Sequence, residues 1–304
     1  MPANSIKTMN PTMMKRFLLL ILLFSAGLNG CTFRKINDLV RVMQEQITNQ
    51  QRQISGLRGE VNTVCQKGEM DEESCQSYGR AIDKMYLQIY EWRRQMIRMD
   101  AERSVAVIPQ LSKDAASFVE DFRIKHERYN NLIAAIQAIV RDESKMRPFE
   151  TAAYFPSGKY EIPPETIPAM TNALRPTLTG VTNFRYRFPD FPCQPKIEVD
   201  GYADRTPIRE GTNLYDTLKL GLGVQQPTRA QLNQQLSKWR AENVVALFAP
   251  IPESKGINLL GVGKGEEDPP GANLLPAHQK LRDDDERRRI VVVYWGCPIN
   301  AELN

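Results

Sequence analysis

Histidine is nearly missing from this chain: His126 and His278 are the two among 304 residues. They lie far apart, outside any usual metal-ligand spacing, so each reads as a solitary surface side chain and no metal centre is expected. An excess of charge of one sign is also lacking, with 40 Lys and Arg against 36 Asp and Glu. The formal net charge is +4, and no basic helix is interleaved with aromatics, which removes the electrostatic case for nucleic acid. No serine stands in a Gly-x-Ser-x-Gly elbow, and "GVGKG" (261–265) lacks the spacing of a phosphate loop closed by Ser or Thr. Catalysis therefore has no visible seat, and neither an enzyme nor a cofactor is expected. The apolar run Phe17–Phe24 is too short to span a bilayer as a mature helix. What is present is a hydrophobic content of 41%, enough for a packed core, in a length that fits about two domains.

That short run has its own meaning. Lys15 and Arg16 precede it, as a basic n-region precedes the apolar part of a secretory leader. The first eight residues read as a misassigned start, because Met9, Met13 and Met14 lie closer to the n-region. The run ends in Leu28-Asn29-Gly30-Cys31, which resembles a bacterial lipobox. The resemblance implies a leader over 1–30, cleavage before Cys31, and lipidation of that cysteine. The added acyl chains would anchor the protein to a membrane, each buried methylene contributing about 0.8 kcal/mol. Thr32, rather than aspartate, follows the cysteine, which by the same resemblance implies the periplasmic face of the outer membrane.

From Ile36 the apolar positions advance by alternating fours and threes: Ile36, Val40, Met43, Ile47, then Ile54, Leu57, Val61 and Val64, with Gln50 in the one polar slot. A second seam runs through Tyr78, Ile82, Met85, Ile89, Trp92, Met96 and Met99. Both are heptad seams on otherwise polar helices. Between them "CQKGEMDEESC" (65–75) reads as a hairpin tip. A third helical stretch is expected over about 111–145, with Ala115, Phe118, Phe122, Tyr129, Leu132, Ile136 and Ile139 as its seam, Lys125 as an interruption, and Pro109 as a turn before it. Residues 31–147 thus form a coiled-coil-like helical hairpin or bundle, packed on itself by default.

Composition changes near Pro148, where prolines become frequent and the heptads stop. Residues 148–304 read as a second domain. Expected in order are a short strand at Tyr154-Phe155, a helix over 164–179, a strand over 196–203 with Ile197 and Val199 on one face, a helix over 228–249, a strand and turn over 257–267, and a last strand over 288–295. Thr228 and Gln231 have capping-box spacing. The fold class is α+β, the C-terminal part a βαβαββ sandwich.

Four pieces of this domain carry a resemblance: Gly201-Tyr202-Ala203-Asp204; a helix with Asn233, Leu236, Ser237, Arg240, Ala241 and Val244; Gly263-Lys264-Gly265-Glu266; and Arg287-Arg288-Arg289-Ile290. Together they resemble the OmpA-like peptidoglycan-binding domain over about residues 150–296. Tyr202 and Ala203 depart from that family's usual histidine and threonine, and Arg287 from a common asparagine. The chain also has two insertions, 205–232 and 268–286, the first able to cover the site, narrow its specificity or dock a partner. The resemblance implies that the domain grips diaminopimelate of the peptidoglycan stem peptide, with Asp204 taking its ammonium and Arg240 its carboxylate. Gly201, Tyr202, Ala203, Asn233, Leu236 and Arg288 would complete the site. The physics fits: Asn233, Leu236, Arg240 and Val244 share one helix face, and a guanidinium offers a planar fork to a carboxylate. The alternative is that Asp204 and Arg240 simply pair with each other.

With Cys31 lipidated, four cysteines remain in an exported chain, an arrangement that points to two disulfides. Three pairings are open. Locality favours Cys65–Cys75 across the hairpin tip. Cys193–Cys297 follows if the second and last strands are antiparallel neighbours. The expected protein is an outer-membrane lipoprotein tethering that membrane, or an envelope complex, to the cell wall. The competing reading is a scaffold subunit of an envelope-spanning secretion or motility machine, whose helices and insertion bind protein partners.

Overall fold

The computed structural model describes residues 29–101, 108–150, 155 and 159–299. The expected leader, 1–28 of it, lies outside the described residues, and Cys31 falls in the first turn of the first helix. Three long helices come first: α1 (Asn29–Gln66), α2 (Glu72–Ala101) and α3 (Ile108–Val140). Among the described residues no helix is long and apolar enough to cross a membrane. The rest is a mixed domain in the order β1 (Met146–Glu150), α4 (Ile167–Arg187), β2 (Lys196–Tyr202), α5 (Asn213–Leu222), α6 (Arg229–Phe248), β3 (Asn258–Gly265) and β4 (Ile290–Gly296). This is the β-α-β-α-β-β order expected from the sequence, with α5 added inside the first insertion.

The chain divides into two compact units, Met1–Gln53 with Tyr86–Asn130, and Ile54–Met85 with Asn131–Asn304. The first is helical. Val40, Met43 and Ile47 of α1, Ile89, Trp92 and Met96 of α2, and Phe118, Phe122 and Tyr129 of α3 are all buried, as the heptads require. Trp92 meets Phe122 edge-on with ring centroids 4.8 Å apart. Gln50, the polar slot, is buried too, and its amide donates to Asn130 Oδ1 and to the His126 carbonyl. A polar layer of this kind fixes the register of the helices. His126 is part of it, half-buried against Phe122 and Asn130 and not the surface histidine expected. Burial pushes its imidazole below the usual range.

The second unit is built on one four-stranded sheet in the order β1-β4-β2-β3. β4 lies antiparallel to both β1 and β2, and β2 is parallel to β3. Parallel neighbours need a crossover, which α6 supplies. Ile197 and Val199 of β2, Val291 and Val293 of β4, and Val244 and Phe248 of α6 are fully buried, each contributing about 1.5–3 kcal/mol. A methyl built on Gly201 runs into the Ser237 carbonyl of α6, and one on Gly263 into the Gln234 carbonyl. These glycines let helix and sheet backbones touch. Gly201→Ala is therefore expected to lower stability by about 1–3 kcal/mol, as overpacking does, read as a lowered denaturation midpoint.

The first strand differs from the expectation. It is Met146–Glu150, whereas Tyr154 lies outside the described residues and Phe155 is a buried bend. Pro148 disguised the strand in the sequence; β1 is an edge strand, where a residue without an N–H donor is tolerated. The helix expected over 164–179 is Ile167–Arg187, and α3 ends five residues early, followed by a 3-10 turn at Glu143–Lys145. The last strand begins at Ile290, because Glu286–Arg288 is itself a 3-10 turn. Thr228 and Gln231 do form the capping box of α6.

Both disulfides expected are present, with Cα separations of 6.0 Å for Cys65–Cys75 and 5.3 Å for Cys193–Cys297. The second staples the start of β2 to the end of β4. By chain entropy it restrains the unfolded state more than the hairpin bond does, about 4–5 against 2–3 kcal/mol.

The other face of the sheet is not open. The even-numbered residues of β2, Lys196, Glu198, Asp200 and Tyr202, lie on it, and all are buried. The tip of the α1–α2 hairpin covers them. Lys196 Nζ sits 2.7 Å from Asp71, 2.7 Å from Glu73 and 2.9 Å from Glu198. Tyr294 Oη donates to the Gly68 carbonyl, the Cys297 amide to Tyr78 Oη, and the Ile299 amide to Ser77 Oγ.

Candidate functional site

The site expected at the end of β2 is assembled by α6. Asn233, near the helix N-terminus and 1% exposed, sends its amide to three acceptors: the Asp204 carbonyl at 3.0 Å, the Thr206 carbonyl at 3.4 Å and Glu266 Oε1 at 2.8 Å. One buried side chain thus joins the exit of β2, the helix and the exit of β3. Glu266 is also gripped by a two-pronged Arg229 fork at 2.8 Å per bond. Ser237 Oγ accepts the Gly265 amide, and the Gly265 carbonyl accepts the Ala203 amide. The backbone on which Asp204 stands is therefore pinned on both sides.

Asp204 is mostly enclosed, its side chain 15% exposed. Its Oδ1 accepts the Thr206 amide at 3.1 Å, and its Oδ2 lies 3.3 Å from Arg289 Nε. Arg240 comes from two turns further along α6 than Asn233 and is buried. Its Nε donates to the Lys159 carbonyl at 3.2 Å, and its guanidinium carbon lies 5.7 Å from the centroid of the Phe155 ring. Burial pushes the Arg240 guanidinium down to about 10; the Asp204 carboxylate opposes this and Arg289 adds to it. All three charges therefore share one field, and Arg240 keeps its proton at neutral pH. The ion pair of Asp204 is with Arg289, not with Arg240.

The other expected residues divide. Gly201 serves through the contact with α6 described above, and Ala203 through its backbone. Leu236 packs with Tyr215, Leu218 and Leu232, so it fastens α5 to α6. Tyr202, an even-numbered residue of β2, lies on the opposite face of the sheet, against Val292 and Tyr294. Arg288 is directed away from Asp204 as well. Its guanidinium binds the Arg282 and Glu266 carbonyls and sits 2.5 Å from Asp268, so it holds the second insertion in place. Arg289, one residue later, is the arginine that reaches Asp204. The sequence signal for it was the run of three arginines at 287–289, in which nothing marks the member that faces the site.

Both insertions are folded beside this locus. The first carries α5, capped by Thr212 and ended by Gly223 in the left-handed conformation. Gly221 rests on the Trp239 ring. The second folds back so that the Arg205 amide reaches the Asp283 carbonyl at 2.8 Å and its guanidinium reaches the Asp283 carboxylate at 3.0 Å. Among the described residues no group of His, Cys, Asp and Glu is placed to hold a metal ion.

No family model matches the chain, and no curated protein matches it. Several solved structures are similar. A MotB-like protein of Desulfovibrio vulgaris is 17% identical over 52% of this chain and 75% of its own, with a TM-score of 0.30. A structure of the periplasmic domain of Helicobacter pylori MotB is 11% identical over 51% and 83%, with a TM-score of 0.31. The cell wall anchor of the T6SS from Pseudomonas aeruginosa is 18% identical over 50% and 80%, with a TM-score of 0.27.

Proposed function

We propose that the C-terminal domain binds peptidoglycan non-covalently and that the chain tethers the outer membrane, or a complex within the envelope, to the cell wall. The ligand group is the diaminopimelate of the stem peptide, its ammonium at Asp204 and its carboxylate at Arg240. One observation carries this reading: a carboxylate and a guanidinium, both largely enclosed, share one locus without pairing with each other. Opposite charges held apart in this way suit a ligand that bears both signs. Lipidation at Cys31 would supply the membrane end of the tether.

The site as folded is filled from within. Arg289 stands where the ligand ammonium would stand, and Phe155 with the Lys159 carbonyl covers Arg240. Binding then requires Arg289 to leave Asp204, and Phe155 and the Lys159 carbonyl to give way. Arg289→Gln removes the internal competitor, so its affinity for sacculi is expected to rise about threefold or more in a co-sedimentation titration. The wild-type test is pelleting with purified sacculi, reversed by free meso-diaminopimelate. Absence of pelleting, or pelleting that the free amino acid leaves unchanged, removes the reading.

A second reading is favoured by a separate observation. Leu87, Tyr90 and Ile97 lie along α2 and are 67–69% exposed. Spacings of three and seven place them on one side of the helix. A scaffold subunit would use such a stripe for a protein partner, with wall binding auxiliary. A partner complex from membranes that survives replacement of Asp204 and Arg240 would favour it.

A further inference from the structure

Behind the sheet, on the face away from α6, a cavity of about 350 Å³ lies between the hairpin tip, β2–β4 and the loop after β3. Asp200 lines it and is 4% exposed. Its Oδ2 has Lys264 Nζ at 3.4 Å, its Oδ1 is buried and receives no donor, and the Glu198 carboxylate lies within hydrogen-bonding reach, where a proton can be shared between the two acids. A buried carboxylate oxygen left this way is costly unless something completes it. Of the other charges around the cavity, Glu72 accepts only the Gln76 amide, and Asp71 keeps one oxygen buried without a partner. Asp71 of the tip is held by Lys196, Lys67 of the tip pairs with Glu69, and Asp268 of the loop pairs with Arg288. Glu198 adds negative charge from the same face of β2.

The walls nearest Asp200 are the phenols of Tyr202 on β2 and Tyr294 on β4. Tyr294 donates its proton to the Gly68 carbonyl, and its oxygen also meets the Tyr202 phenol in a hydrogen bond, which leaves one acceptor position on it. An unpaired carboxylate oxygen, a phenol oxygen and aromatic faces all favour a cation that carries N–H donors. A metal ion lacks its ligand set here, and an anion would meet Asp200, Glu198 and Asp71.

We propose that this cavity is a second ligand site, taking a compact organic cation whose primary ammonium group donates to the Asp200 carboxylate between Tyr202 and Tyr294. It is independent of the peptidoglycan reading, since it lies on the opposite face of the sheet from α6. It is also proton-linked. Burial first and the Glu198 carboxylate next push the Asp200 carboxyl up to about 7, while Lys264 pulls it down. The ligand needs the ionised form, so protons compete with it. The ionised fraction, and with it the affinity, should therefore fall as the pH is lowered from 8 to 6.

The test is calorimetric titration of the full chain with 1,5-diaminopentane, which stays charged across this range. Expected are saturable one-to-one binding at pH 8, weaker binding at pH 6, loss of binding in Asp200→Asn, and no binding of tetramethylammonium, which has charge without donors. Asp200→Asn should still pellet with sacculi, which separates this site from the one at Asp204. No saturable heat at pH 8, equal affinity at the two pH values, or undiminished binding by Asp200→Asn would each overturn the proposal. Should that variant fail to fold, the contrast between 1,5-diaminopentane and tetramethylammonium on the unaltered chain decides: equal binding of the two overturns the proposal.

Discussion

Asp204→Asn is expected to lower the affinity of the chain for purified sacculi at least tenfold, and Arg240→Lys to do the same, with the fold retained in both. Asparagine keeps the shape of the aspartate and can still receive the Thr206 amide, while the Asn233 bond goes to the Asp204 backbone and is untouched. What disappears is the negative charge that would meet an ammonium. Removing one member of a desolvated charge pair costs about 2–5 kcal/mol, which exceeds a factor of ten. Arg240→Lys is the more discriminating variant. It keeps a positive charge but loses the planar fork that holds a carboxylate with two bonds, and its shorter donor set cannot both reach the Lys159 carbonyl and grip a ligand. If the pair merely stabilised the domain, both variants would lower the denaturation midpoint and leave binding per folded molecule unchanged. Unchanged co-sedimentation in both would remove the clamp.

The elements that the sequence announced best are those in which a single period decides the fold. Seam residues Val40 to Val64 and Tyr78 to Met96 are all buried, because a heptad seam has no other place to go. Ile197 and Val199 lead β2 onto the helices by alternation, and the Thr228–Gln231 spacing starts α6 where it does start. Local patterning cannot show what covers a polar face. Lys196, Glu198 and Asp200 alternate with Ile197 and Val199 as the solvent side of an ordinary strand would, yet the hairpin tip, more than a hundred residues earlier, closes over them. The two arginines 288 and 289 differ only in the side of the chain to which they point. That direction is set by the 3-10 turn at Glu286–Arg288, which carries no strong sequence signal. His126 was misjudged for the same reason: it lies beside the expected seam of the third helix, and nothing local shows that Gln50 and Asn130 join it.

These facts give β2 three tasks along seven residues. Its odd positions bury against α6, its even positions meet the hairpin tip, and its end delivers Asp204. The helical tip and the candidate site are thus attached to one strand. A disturbance of the tip acts on a strand that is also stapled to β4 by Cys193–Cys297 and held to α6 through Gly201. Such a strand has little freedom to shift, which suits a site whose two charges must keep a fixed spacing.

Lys196→Met tests how much of that rigidity comes from the tip. The lysine is 2% exposed and is ringed by the Asp71, Glu73 and Glu198 carboxylates at 2.7–2.9 Å. Burial pulls its ammonium down, but Asp71 first and then the hydrogen bonds it donates to all three carboxylates outweigh it and hold the group above its usual range. A group raised in the folded state contributes stability below its unfolded value, and that contribution is lost as pH rises through the folded one. At neutral pH the contribution is therefore complete. Methionine fills a similar volume but leaves Asp71 and Glu198 buried without a counter-charge, a change that costs about 3–5 kcal/mol. The expected result is a denaturant midpoint shifted by that amount with an unchanged slope. Combining Lys196→Met with Asp71→Asn should restore part of the loss, because the second change removes one of the stranded charges. A loss below about 1 kcal/mol for Lys196→Met alone would mean that the tip is held by its hydrogen bonds to Tyr294, Cys297 and Ile299 rather than by this ion cluster.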